Sequence, residues 1–290
     1  MPVVSARAIA IESKGQPGRL QVLASTVRPV DEEIRSYYEL GLERDRLSQG
    51  YSRIEFERTK ELLMRFLPTP PARVLDVGGG PGAYASWLAD RGYEVKLVDA
   101  TPLHVDQASE LSGGRFSASL GDARGLEEAD ASFDAVLLLG PLYHLLERAE
   151  RVTALREAWR VLRPGGVLAA AAISRYASLL DGFLRDLLDE PGWALVEADL
   201  VHGEHRPAGR TAELFTTAYF HRPDEFQAEV EEGGFVVEGL FGVEGPGWSR
   251  PDVPIDEQVF ETLLRMARAV EQEPSIMGAS AHFLAIARRS

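Results

Sequence analysis

The 290-residue sequence contains no cysteine. Neither a disulfide framework nor a thiolate metal site can therefore be built, which fits a reducing compartment. Lysine is scarce as well: Lys14, Lys60 and Lys96 are the only three. Acidic residues outnumber basic ones by 45 to 31, a net charge of −14. A nucleic-acid or anionic-membrane binder needs a basic face, so this balance predicts neither partner. No apolar run approaches the roughly 20 residues of a membrane span. Arg7 and Glu12 interrupt the apolar stretch that a signal peptide would need. These absences predict a soluble cytoplasmic protein. The 45% hydrophobic and 26% charged residues are ordinary for a globular chain that buries a sizeable core.

What the chain does have is glycine in one telling place. Val74, Leu75 and Val77 form a short apolar run that predicts a strand buried on both faces. It ends at Gly78, Gly79, Gly80 and Gly82, and a helical pattern starts at Ala83. Strand, glycine turn and helix bring backbone N–H groups and a helix N-terminus close to a polar ligand. Further strands are predicted at Glu94–Asp99, Phe116–Leu120, Phe133–Gly140 and Val167–Ile173, with helices at His104–Leu111 and Glu147–Leu162. Such alternation predicts a doubly wound α/β fold with a mostly parallel sheet. Before it, helices over Asp31–Leu47 and Ile54–Leu67 form a cap at 31–72; residues 1–30 read as a hairpin or a loose terminus. After Ser174 the pattern breaks for an insert at about 175–222, with a short helix over Ala177–Leu188 and a loop rich in Gly, His and Arg. It then resumes with helices over Asp224–Glu232 and Asp256–Glu271 and strands over Phe235–Phe241 and His282–Ala287.

The glycine turn alone leaves the ligand open. Gly78, Gly80 and Ala83 satisfy the G-x-G-x-x-A pattern of dinucleotide sites, and Asp99 fits a ribose in either case. Asp122, placed for an adenine amino group, and the Arg163-Pro-Gly-Gly166 turn have no part in the dinucleotide fingerprint. Together, VLDVGGGPG (74–82), VKLVDA (95–100), GDA (121–123), FDAVLLLGPLYHLL (133–146) and RVLRPGGVL (160–168) resemble the class I S-adenosylmethionine-dependent methyltransferases. The resemblance spans 73–173 by motif and 223–290 by topology, and is weak over 1–72 and 174–222. It implies a Rossmann-like seven-stranded sheet whose antiparallel last strand lies beside the sixth, with a methyltransferase domain over 73–290. It implies that Asp76, Gly78, Gly80 and Gly82 surround the methionine part of the cofactor, Asp99 and Ala100 the ribose, and Asp122 and Ala123 the adenine. Gly140 and Pro141 would line the methyl end.

The acceptor side is less marked. His144, beside Tyr143 at the mouth of the fourth strand, is the candidate general base; a helix-start histidine supporting the loop is the alternative. Arg175 and Tyr176 follow the fifth strand at the carboxyl edge, where ligands bind open α/β sheets. His202 and His205 lie in the insert and Tyr219 near its end, where a lid could contact the acceptor; a metal held by His202, His205 and His221 is the weaker reading, and no metal is expected. Tyr38 could close over the cofactor; Arg58 could pair with its carboxylate, though the reading favoured for Arg58 is a solvated helix charge. The expected product of the cofactor is S-adenosylhomocysteine, and the expected partner is a small-molecule acceptor, with a homo-oligomer left open. The competing readings are an NAD(P)-dependent oxidoreductase, for which no Tyr-x-x-x-Lys pair exists, and a non-catalytic cofactor-binding relative.

Overall fold

The central strands of one sheet alternate inward-facing residues between two apolar layers, and this alternation builds the domain. The computed structural model describes residues 32–207, 209, 214–248 and 255–290. The hairpin expected within residues 1–30 lies outside them. Helix α1 (Glu32–Glu39) and helix α2 (Ser52–Phe66) precede the sheet. Then come β1 (Arg73–Val77), α3 (Ala83–Ala89), β2 (Glu94–Asp99), α4 (Pro102–Ser112), β3 (Ser117–Leu120), β4 (Phe133–Leu138), α5 (Arg148–Val161) and β5 (Leu162–Ser174). The chain continues through α6 (Ala177–Leu184), α7 (Glu190–His202), β6 (Glu204–His205), β7 (Ala218–His221), α8 (Pro223–Glu232), β8 (Phe235–Gly242), α9 (Glu257–Val270) and β9 (His282–Arg289).

Strands β3, β2, β1, β4 and β5 lie side by side in parallel. β9 pairs antiparallel with β5 from Val167↔Arg288 to Ile173↔His282, and β8 pairs antiparallel with β9. Leu75, Leu168, Ala170, Phe283 and Ala285 face one layer, with Leu155, Ala158 and Phe226. Val74, Ala169, Ala171, Leu284 and Ile286 face the other, with Leu62, Leu63 and Tyr84. Both faces of the sheet are therefore buried, as parallel strands joined by helices require.

Three expectations need correction. Among the described residues the sheet has nine strands rather than seven. β4 pairs with β5 only as far as Leu138↔Ala170, so the last residues of β5 keep an open edge on that side. β7 takes it, pairing Ile173↔Phe220 and Ser174↔His221, and β6 adds antiparallel to β7. The single helix expected over Asp31–Leu47 is two: Gly41 adopts φ 71, the left-handed conformation that ends a helix, and a 3-10 turn follows at Leu42–Ser48. In the insert, α6 stops at Leu184, and Asp189 caps a second helix, α7, by accepting the Gly192 N–H at 3.0 Å. His202 ends α7 and Gly203 turns the chain at φ 80, so His205 stands on β6 and the two histidines share no helix face.

Candidate active site

A cavity of about 600 Å³ opens at the carboxyl ends of β1, β2, β4 and β5, within the range of small-ligand sites. Its first half is the glycine turn. The Gly78 N–H donates to the Val98 carbonyl at 2.7 Å, locking the turn to β2. A Cβ on Gly78 would meet Pro141 Cδ at 2.7 Å, and one on Gly79 would meet Asp76 Oδ2 at 2.6 Å. Glycine is thus required by close approach as well as by the φ of 69 at Gly78. Asp76 is fully buried and lines the cavity, yet neither carboxylate oxygen has a hydrogen-bond partner among the described residues. Burial, reinforced by the Asp99 charge, pushes its pKa up to about 7.

Asp99 ends β2 and is held in place by its own backbone surroundings. Its Oδ2 accepts the Gly80 N–H at 2.9 Å, and its Oδ1 accepts the Thr101 N–H at 2.8 Å with His104 Nδ1 at 3.2 Å. Asp122 also reaches the cavity, beside Ala123, but its carboxylate is clasped by the Arg124 side chain, with Nη2 at 2.7 Å. Arg124 continues to Glu150 at 2.6 Å. Gly80, Ala100, Gly140, Pro141 and Tyr143 line the same space. Gly82 does not: it caps α3 at φ 94, and its N–H is used by the Gly79 carbonyl.

His144 and Tyr38 form the mouth. Tyr38 Oη lies 2.5 Å from His144 Nε2, and His144 Nδ1 lies 3.3 Å from the Thr217 carbonyl. A carbonyl only accepts, so Nδ1 carries the proton and Tyr38 donates to Nε2. Burial depresses the imidazole pKa to about 4. The ring stands edge-on to Tyr38 and Tyr143, with centroids 5.2 and 4.7 Å apart. Thr217 Oγ1 donates to Glu33 at 2.6 Å, so α1 is fastened to the chain entering β7 as well as to His144.

The second half of the cavity is lined by charged residues that sequence reading did not single out. Arg46 donates through Nη1 and Nη2 to Glu55 at 2.6 and 3.1 Å, and through Nε to Glu43 at 2.7 Å. His282, the first residue of β9, places Nδ1 2.5 Å from Glu244. Burial of His282 disfavours its charge, but Glu244 and Glu55 outweigh it and raise the pKa to about 9. Glu55 is itself lowered, burial being outweighed by Arg46 and His282. Ala171, Val243 and Leu284 supply an apolar floor.

Several expected acceptor residues are used elsewhere. Arg175 is buried; its Nε donates to the Phe220 carbonyl at 2.7 Å and its Nη2 to Glu225 at 2.5 Å. Tyr219 is covered by Arg151, 3.7 Å from its ring centroid, with Arg175 at 5.6 Å. His205 is buried between Asp199 and the Leu214 carbonyl, both at 2.8 Å, and stacks on Phe220. His202 is exposed at the end of α7, and Tyr176 is 38% exposed. None of these five lines the cavity. For Arg175, Tyr219 and His205 the physical reason is common: β7 docks on β5, so polar groups at that edge are consumed in holding the insert, whereas His202 and Tyr176 face solvent outside the cavity. Arg58 is neither solvated nor in the cavity; it is buried against Glu61 and Glu271.

The comparisons with known proteins agree with this geometry. Residues 74–166 match the family model described as a methyltransferase domain. The chain is 32% identical to the methyltransferase GfsG of Streptomyces halstedii over 71% of this chain and 67% of that protein. It is 28% identical to the O-methyltransferase resE of Aspergillus sclerotiorum over 59% of this chain and 74% of that one. The crystal structure of an S-adenosylmethionine-dependent methyltransferase from Methanosarcina mazei superposes with a TM-score of 0.54 at 20% identity, covering 79% of this chain and 96% of that chain. Among the described residues no helix is long and apolar enough to cross a membrane. The glycine turn, the carboxylates at the ends of β1 and β2 and the relatives' shared domain lead to one identification: the chain belongs to the S-adenosylmethionine-dependent methyltransferase family.

Proposed function

We propose that this enzyme methylates a hydroxyl oxygen of a small acceptor enclosed beneath its helical cap. The observation that carries this reading is one continuous cavity, running from Asp76 and Asp99 to Glu55 and His282 and roofed by Tyr38. Such a space suits a compact molecule better than a polymer, and the net charge of −14 weighs against nucleic acid. The 28% identity to an O-methyltransferase supports oxygen as the acceptor atom.

The residues fit the family's cofactor. The two unpartnered oxygens of buried Asp76 call for a cationic donor such as an ammonium group, and the missing side chain at Gly79 keeps the space beside them. Asp76, Gly78 and Gly80 would hold the amino-acid end, Asp99 and Ala100 the ribose, and Asp122 and Ala123 the adenine edge. When bound, the cofactor supplies a sulfonium-activated methyl group, so no covalent enzyme intermediate or metal is called for. The protein's own task is to orient the acceptor, exclude water and remove a proton. His144 is neutral and its Nε2 is an acceptor, so it is the proton's destination. Because Tyr38 already donates to Nε2, the relay runs through Tyr38: its hydroxyl gives its proton to His144 and takes that of the acceptor. A base this weak accepts the proton only as the new C–O bond forms.

Incubation with isotopically labelled S-adenosylmethionine and a cell extract tests the reading. The label is expected in small molecules, on oxygen; label on amine nitrogen or in the macromolecular fraction would overturn it. Asp99→Ala should weaken S-adenosylhomocysteine binding by roughly 1.5–3 kcal/mol in calorimetry, the scale of charge-assisted hydrogen bonds. Unchanged affinity removes the ribose assignment.

A further inference from the structure

The far wall of the cavity carries a donor and an acceptor of opposite charge side by side. A carboxylate oxygen of Glu55, one of Glu244 and a ring nitrogen of His282 lie within 4.8 Å of one another. Both Glu244 oxygens have partners: Oε1 takes His282 Nδ1 at 2.5 Å, and Oε2 takes the His282 N–H and the Ser280 hydroxyl, each at 2.9 Å. His282 Nε2 has no hydrogen-bond partner among the described residues, and the ring lines the cavity. Glu55 lines it too, its oxygens bonded to Arg46 but each with lone-pair capacity left. A divalent cation fits this cluster poorly, because the Arg46 guanidinium already sits on both Glu55 oxygens and Glu244 is committed to His282.

We propose that Glu55 and the Glu244–His282 pair form an anchoring site for a neutral hydroxyl group of the acceptor, separate from the hydroxyl that is methylated. A hydroxyl accepts from His282 Nε2–H and donates to Glu55, and so satisfies both. A carboxylate in the same place has no proton to donate to Glu55, and an ammonium has no lone pair to accept from His282 Nε2–H. The site therefore selects by exclusion as well as by attraction. The separation follows from the sheet. His144 follows β4, and His282 starts β9, on the far side of β5. Two strand spacings are about 10 Å at the backbone. On β5 and β9 the cavity floor is apolar, at the paired residues Ala171 and Leu284. The acceptor class is a mostly apolar molecule bearing at least two hydroxyls on opposite ends.

This inference rests on the assignment of the cavity to cofactor and acceptor, and binding separates the two. The probes are para,para′-dihydroxybiphenyl, para-hydroxybiphenyl, and the analogues with a carboxylate or an aminomethyl group in place of the second hydroxyl. Each is titrated calorimetrically into the full chain saturated with S-adenosylhomocysteine. The diol is expected to bind about tenfold or more tightly than any of the other three, as for hydrogen bonds to charged groups. In Glu55→Gln and His282→Gln the advantage should shrink to within about threefold, while S-adenosylhomocysteine still binds and so reports an intact fold. If those variants lose the cofactor product as well, the wild-type ranking alone decides. Failure of the diol to exceed the other probes, including failure of all four to bind, overturns the anchor. So does a diol affinity that requires Mg²⁺ and is abolished by EDTA, which would make the cluster a metal site. Loss of S-adenosylhomocysteine binding in the wild-type chain instead sinks the proposed function. Methyl transfer to oxygen without any preference for the diol sinks only the anchor.

Discussion

Tyr38 Oη donates a hydrogen bond to His144 Nε2 at 2.5 Å, joining residues 106 positions apart and closing the cap over the cavity. The bond makes the two residues one proton-handling unit and predicts that neither acts alone. Tyr38→Phe and His144→Ala should each lower kcat by about 100-fold or more, and the double variant by little more than either. Affinity for S-adenosylhomocysteine should stay within a few-fold in the His144 variant. Multiplicative losses in the double variant would show that the two act independently. With the imidazole depressed to about 4, His144 is neutral in the working range, so kcat at saturation should show no acid limb from it between about pH 5 and 8.

Asp76 predicts a trade between stability and binding. Its folded pKa, about 7, is raised above the ordinary carboxylate value. For a raised acid the folded state binds the extra proton, so stability falls as pH rises from about 4 through 7. Asp76→Asn should therefore stabilise the ligand-free protein at pH 8, by roughly 1–4 kcal/mol. The same variant should lose most cofactor affinity. In the wild type, S-adenosylhomocysteine binding should tighten from pH 6 towards pH 8 and release protons, measurable by calorimetry in buffers of different ionisation enthalpy. A pH-independent affinity would place the ammonium group elsewhere.

How much of this was legible in the sequence depends on how local the chemistry is. The strand Val74–Val77, its glycines and Asp99 were legible because a strand end and a tight turn are written in a few contiguous residues. His144 and Tyr38 could be named singly, but their bond is a product of how α1 lies across the mouth. Glu55, Arg46 and His282 gave no signal: they stand on α2, on the 3-10 turn before it and on the last strand, and nothing in their spacing relates them. Arg175 shows the opposite failure. The carboxyl edge of β5 is where a ligand residue is expected, but β7 occupies that edge, and a short pairing of two residues was below what periodicity reveals.

Arg175 accordingly predicts a fold defect rather than a substrate defect. Its guanidinium joins the end of β5 to Phe220 and Glu225, and its removal takes the Arg175 donor from the Phe220 carbonyl and leaves Glu225 to Arg222 alone. Arg175→Leu should cost roughly 2–4 kcal/mol in denaturant unfolding. At a temperature where the variant is folded, its KM for the acceptor should match that of the wild type. A raised KM with unchanged stability would return Arg175 to the acceptor site.

Ala171 tests which half of the cavity holds the acceptor. It lies on the cap-facing side of β5, in a run of four alanines from Ala169 to Ala172, and lines the cavity beside Leu284. The alternation of the strand sends Ala170 and Ala172 to the opposite layer, where side chains of α5 and α8 already fill the space. A larger residue at Ala170 would therefore overpack a solid core, at about 1–3 kcal/mol, whereas one at Ala171 can grow into the cavity. Ala171→Leu should leave the melting temperature and S-adenosylhomocysteine affinity close to wild type while reducing acceptor turnover by tenfold or more, roughly the effect of blocking one side of an apolar pocket. Loss of cofactor affinity with acceptor turnover merely following it would put the cofactor over Ala171, and the acceptor would then have to lie on the side of Asp122 and Glu150.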